Sequence, residues 1–106
     1  MKRILFICGK AKQRSPTAEH IFAELPNVET DSAGLSTDSD IVLSSEQIEW
    51  ASDIVVMEKS QLRRLKTKYG KHTTGKRIVC FDIADNYDFM QEELIALLKQ
   101  RIGRVL

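Results

Sequence analysis

The sequence predicts an α/β domain: a four-stranded parallel sheet with helices on both faces. Two observations carry that prediction. Residues 4–8, 54–57 and 78–81 are almost uninterrupted apolar runs, as strands buried on both faces require. Between such runs, apolar residues recur at the three-and-four spacing of a helix face, and strands alternating with helices fold as a parallel sheet with right-handed crossovers.

The elements follow in order. After the strand 4–8, Pro16 suits the first turn of a helix, where its missing amide would have had no intrahelical partner. Ala18, Ile21, Phe22 and Leu25 form that helix's apolar face. Pro26 and Asn27 break it. Residues 28–33 read as a second strand with only alternate apolar positions, ending at Gly34, and its polarity fits a sheet edge. Residues 35–40 form a loop of small and acidic residues. Ser44 with Gln47 resembles a capping box opening a short helix through Trp50. The third strand is 54–57. Ser60 is the expected cap of the next helix, whose Leu62, Leu65 and Tyr69 share a face and whose end is expected at Gly70. Residues 71–75 read as a loop, 78–81 as the fourth strand, and from Gln91 a last helix buries Leu94, Ile95, Leu98, Ile102 and Val105.

Composition narrows the function. At 106 residues the chain forms a single domain, residues 1–106, with one core of adequate size. A net charge of +1 argues against a general nucleic-acid binder. The cations Arg63, Arg64, Lys66 and Lys68 read as a solvated helix face. Cys8 and Cys80 give neither a zinc signature nor a disulfide framework, though spacing alone leaves one disulfide between them open. Cys80, between Val79 and Phe81, reads as a core residue. His20 and His72 lack metal-ligand spacing and read as surface residues. The basic start is followed by an apolar run too short for a signal peptide, and no stretch approaches a membrane span. A soluble cytoplasmic protein is expected, without membrane contacts.

The chemistry is concentrated between the first strand and the first helix. There Cys8, Gly9, Lys10, Ala11, Lys12, Gln13, Arg14 and Ser15 lie at a strand's C-terminus and a helix's N-terminus, where backbone amides and the helix dipole favour an anion. Each residue type has a use if the anion is a phosphate ester. A cysteine thiolate is a strong nucleophile. The planar fork of Arg14 matches two phosphoryl oxygens. Ser15 is placed to donate to the sulfur, and Lys10 and Lys12 add positive potential.

Cys8, five residues, Arg14, Ser15 and Pro16, followed by Ala18 and Glu19, resemble the phosphate-binding loop of the low-molecular-weight protein tyrosine phosphatases. The likeness continues through residues 31–34, residues 51–57, and Asp85, Asn86 and Tyr87. The resemblance implies strand order 2-1-3-4, which sets the crevice where the order reverses beside Cys8. It implies Cys8 as nucleophile, Arg14 as phosphate clamp and Asp85 as general acid and base, with Tyr87 as one wall for an aromatic leaving group. Asp82 is the second choice for the acid, or else a holder of its loop. With that strand order the fourth strand ends roughly 10 Å from the first, and the five residues from Cys80 to Asp85 span up to ~17 Å. The implied substrate is a phosphotyrosyl protein or a small aryl or alkyl phosphate. Inorganic phosphate or sulfate would occupy the loop, and neither metal nor cofactor is needed.

The chain departs from the family at Lys10, Ala11 and Gln13, where that loop usually carries glycine, asparagine and a second cysteine. The asparagine position is normally left-handed, so Ala11 there is strained by about 1–2 kcal/mol unless the loop takes another path using Gly9. Without the second cysteine, Cys8 is expected to overoxidise. The region between Gly34 and Ser44 is short, implying a more open cleft. Two rivals remain: a cysteine-type phosphocarrier domain of a sugar phosphotransferase system, which lacks an equivalent of Arg14 and of Asp85, and a non-catalytic anion-binding module. An arsenate-reducing relay would need two further cysteines, and only Cys80 is present.

Overall fold

The computed structural model describes residues 1–106. The first apolar run forms β1 (Lys2–Cys8), followed by α1 (Arg14–Phe22), β2 (Val28–Gly34), α2 (Ser45–Trp50), β3 (Asp53–Val56), α3 (Lys59–Thr73), β4 (Arg77–Cys80) and α4 (Glu92–Arg101), which ends in a 3₁₀ turn, Ile102–Arg104. All strands are parallel in the order β2-β1-β3-β4, so the implied order is observed. The register sets Cys8 beside Gly34 and Ile7 beside Val56 at the carboxyl end of the sheet.

The pleat of β1 divides the core in two. Ile4, Phe6 and Cys8 face α1 and α4, packing with Phe22, Met57, Phe81 and Leu98. Leu5 and Ile7 face α2 and α3, packing with Ile48, Ile54 and Leu65. Phe6 anchors the first layer, its ring 5.9 Å from Phe22 and 6.3 Å from Phe81. Every residue of β3 is buried, as a central strand demands, whereas β2 is partly exposed at one edge.

Four expectations are corrected. Glu58, not Ser60, holds the N-cap position of α3, its backbone amide donating to Gln61 Oε1 at 3.0 Å. The same helix runs past Gly70 to Thr73 with one non-helical residue, Tyr69, whose hydroxyl donates to the Leu43 carbonyl at 2.9 Å. That anchor and the buried Thr73 outweigh the stop signal of Gly70. On α4, Leu94 and Leu98 are buried with Val105, but Ile95 lies at the margin and Leu97 packs on the core instead. Cys80 is only half-buried, because β4 is an edge strand. The capping box of Ser44 and Gln47 is present as expected. No helix is long and apolar enough to cross a membrane.

Candidate active site

The loop 9–13 is held from outside by the segment that follows β2. Leu35 N donates to Cys8 O at 3.1 Å, Ser36 N to Gly9 O at 2.9 Å, and Asp40 N to Lys10 O at 3.2 Å. These three carbonyls belong to the peptides whose amides are those of Gly9, Lys10 and Ala11. No peptide in the chain is cis. In a planar trans peptide the N–H points opposite to the C=O, so the three amides are aimed to the inner side. The one inner bond formed fits this: Ala11 N donates to Cys8 Sγ at 3.1 Å. Close approach of the two segments needs Gly34, where a Cβ would come within 2.1 Å of Ser39 Oγ and 2.8 Å of the Lys10 carbonyl carbon.

Ala11 takes the left-handed conformation, φ 56°, and is buried. Gly9 does not have positive φ, so the loop follows the strained path and not a detour through Gly9. At the start of α1 the cap position is Gln13, whose side chain makes no capping bond. The first-turn amides of α1 are therefore left without a side-chain cap, the arrangement that favours an anion.

Cys8 Sγ lies 3.0 Å from Ser15 Oγ. Arg14 is buried, its Nη1 donating to Ile83 O at 2.8 Å and lying 3.4 Å from Glu58 Oε2, while its Nε is 3.8 Å from Asp85 Oδ1. A cleft of about 470 Å³ opens over these groups, with Cys8 and Arg14 at its base and Lys12, Glu58, Arg64 and Asp85 around it. Lys10 also lines the cleft, paired with Asp38 at 3.1 Å. The Ser36 hydroxyl, then Lys10, holds the Asp38 carboxyl below its ordinary range.

The residues singled out by sequence thus largely converge. Cys8, Gly9, Lys10, Lys12, Gln13, Arg14 and Asp85 line one cleft, with Ala11 and Ser15 buried against the sulfur. Tyr87 is the exception: it is half-buried against the core layer around Phe6 and does not line the cleft. A ring that covers apolar surface gains from burial there. Asp82 also lies apart, at φ 55°, taking hydrogen bonds from the Cys80 thiol and Arg104, which hold its carboxyl below the usual range. Burial pushes the Cys80 thiol up. Its strand is separated from β1 by β3, about 9.6 Å in two strand spacings, so Cys80 and Cys8 do not meet the ~7 Å Cα limit of a disulfide.

Sequence reasoning missed Glu58, Gln61 and Arg64. The available signal for Glu58 was its place at the carboxyl end of a central strand, one residue beyond the matched segment 51–57.

No family model and no curated protein matches the chain. Solved structures do. The YwlE arginine phosphatase from Geobacillus stearothermophilus aligns with TM-score 0.77 and 21% identity, over 99% of this chain and 93% of that one. The tyrosine phosphatase Wzb from Escherichia coli K30, in complex with phosphate, gives TM-score 0.77 and 22% identity over 98% and 96%. SP-PTP, a low molecular weight protein tyrosine phosphatase from Streptococcus pyogenes, gives 0.77 and 15% over 100% and 94%. At these identities the likeness establishes the fold, a low-molecular-weight-phosphatase-like α/β sheet spanning the whole chain.

Proposed function

We propose that this chain is a cysteine-dependent phosphomonoesterase acting on phosphotyrosyl protein through a phosphocysteine intermediate. The observation that carries the reading is the surroundings of one sulfur. Cys8 Sγ accepts from the Ala11 amide, meets Ser15 Oγ at 3.0 Å, and shares the base of its cleft with the buried guanidinium of Arg14. A thiolate in this position has two donors to hold it and a cation beside it.

In the first step the Cys8 thiolate attacks phosphorus, forming the S–P bond as the P–O ester bond breaks. Arg14 and the loop amides bind the equatorial oxygens, where charge develops. Asp85, protonated, gives its proton to the departing oxygen; its Oδ1 lies at the mouth beside Arg14. In the second step the Asp85 carboxylate takes a proton from water as the water oxygen attacks phosphorus. The S–P bond then breaks, releasing inorganic phosphate and restoring the thiolate. A catalytic thiol must stay reduced, which fits the cytoplasm.

The solved neighbours support phosphate-ester chemistry, two of those named being described as tyrosine phosphatases and one as an arginine phosphatase. Hydrolysis of p-nitrophenyl phosphate tests the reading. Steady turnover that vanishes in Cys8→Ser and in Arg14→Ala supports it. A single phosphoryl transfer without turnover would indicate a phosphocarrier, and binding without reaction an anion-binding module; either would overturn it.

A further inference from the structure

Helix α3 carries Lys59, Arg63, Arg64, Lys66, Lys68 and Lys71 in fifteen residues and no Asp or Glu. The whole chain is nearly balanced, 16 basic against 15 acidic residues, so this density is local. Like charges four apart, Lys59 with Arg63 and Arg64 with Lys68, weaken a helix. Nor does the fold neutralise them: the cations in ion pairs are Lys2, Lys10, Arg14, His72, Arg77 and Arg104, and none of the α3 lysines and arginines is among them.

These cations are also part of a formed groove. Arg63, Arg64, Thr67 and Lys68 wall a depression of about 300 Å³ whose floor is the buried Leu35. Nearby, the Tyr69 hydroxyl ties α3 to the segment before α2 by donating to Leu43 O. Arg64 lines this groove and the catalytic cleft alike, so the two adjoin at its side chain. From Ser60 in the cleft to Lys68 in the groove is eight residues of helix, about 12 Å. An extended peptide covers that distance in about four residues.

We propose that the groove of Arg63, Arg64 and Lys68 is a specificity site for carboxylates of the substrate protein, taking Asp or Glu about two to four residues from the phosphorylated side chain. This rests on the phosphatase reading and names the substrate class: a phosphorylated acidic segment. The run of cations is too long for a small phosphate ester held by Cys8 and Arg14 to reach its far end. An extended acidic chain reaches it.

The test compares phosphotyrosyl peptides bearing Asp and Glu beside the phosphorylated residue with their Asn and Gln analogues, on the native chain and on Arg63→Ala/Lys68→Ala. Those two residues line the groove but not the cleft. The native chain is expected to favour the acidic peptide about tenfold in kcat/KM at low salt, falling below about twofold in the double variant and near 0.5 M NaCl. Turnover of p-nitrophenyl phosphate, which has no extension into the groove, stays within about twofold. Equal kcat/KM for both peptides on the native chain overturns the proposal while leaving the phosphatase reading intact. If no ester is hydrolysed, that reading fails on its own, and fluorescence anisotropy of the same peptides on Cys8→Ser still decides the groove. A preference for the acidic peptide that the added Arg63→Ala/Lys68→Ala changes remove supports it; equal binding overturns it. Tighter binding of single-stranded RNA than of the acidic phosphopeptide also overturns it, in favour of a polyanion surface.

Discussion

The guanidinium of Arg14 lies 3.4 Å from the carboxylate of Glu58. One acid therefore does two jobs, since Glu58 also sits at the N-cap of α3, where its carboxylate accepts from Gln61 Nε2 at 3.2 Å. The carboxylate orients Arg14 yet puts a negative charge beside the anion site. Glu58→Gln keeps an acceptor for Gln61 and removes the charge, so inorganic phosphate is expected to inhibit a few-fold more tightly, matching the Coulomb energy, about 0.8 kcal/mol, of one charge ~5 Å away in a solvent-exposed, near-bulk dielectric. Glu58→Ala also leaves the buried Gln61 Nε2 without this acceptor and is expected to lose about 1 kcal/mol of stability. Phosphate inhibition and urea unfolding of both variants check this; unchanged inhibition in Glu58→Gln would show that the charge is not felt at the site.

Ala11 at φ 56° costs about 1–2 kcal/mol relative to a relaxed residue. Ala11→Gly removes that strain but loses a buried methyl worth ~0.8 kcal/mol and adds ~0.4–1 kcal/mol of unfolded-chain entropy. The contributions nearly cancel, so stability is expected to change by less than about 1 kcal/mol. Ala11→Val adds branching where φ is positive and is expected to cost more than about 2 kcal/mol. Urea unfolding of the pair measures the difference; a Val variant as stable as the Gly variant would mean that the loop takes another path in solution.

Cys80 should resist alkylation until the solution is alkaline. Burial raises the Cys80 thiol above the ordinary 9.0, and a raised acid stays protonated longer as pH rises, so its thiolate appears only on the alkaline side of that value. Iodoacetamide at pH 7 is expected to label Cys8 first, with inorganic phosphate protecting it, and Cys80 only as the solution becomes strongly alkaline. Mass spectrometry of the labelled chain reads both. Excess peroxide is expected to inactivate with little recovery on dithiothreitol, because the loop holds no second cysteine and Cys80 is two strands away. Full recovery would reveal a thiol partner for Cys8.

Much of this was legible in the sequence because it is local. The run ending at Cys8, Pro16 in the first turn and the Ser44 capping box each draw on residues within a few positions, and all form as expected. What was not legible depends on contacts far along the chain. Tyr69 holds the kinked α3 through Leu43, 26 residues away, and Arg14 meets Ile83 across 69. Tyr87 was assigned to the cleft by its neighbour Asp85, but its ring is claimed by the layer around Phe6, which periodicity does not reveal. Cys80 looked like core because its neighbours are apolar, although the implied strand order already put its strand at an edge, where one side of the strand lacks a neighbour.

Asp85 bears the proton in the proposed reaction, and leaving-group dependence isolates that role. Its carboxylate is mostly exposed and lies 3.8 Å from Arg14 Nε, so removing it leaves Arg14 still held by Ile83 O and Glu58. General acid catalysis contributes about 10²–10⁴ in rate, and most where the departing oxygen is basic. Asp85→Ala is therefore expected to slow phenyl phosphate about a hundredfold or more but p-nitrophenyl phosphate only about tenfold, because nitrophenolate departs without a proton. Vanadate inhibition, which reads the clamp, should hold or strengthen with one less negative charge. Equal losses on both esters would take the acid role from Asp85, and a parallel loss of vanadate affinity would recast it as a support for Arg14.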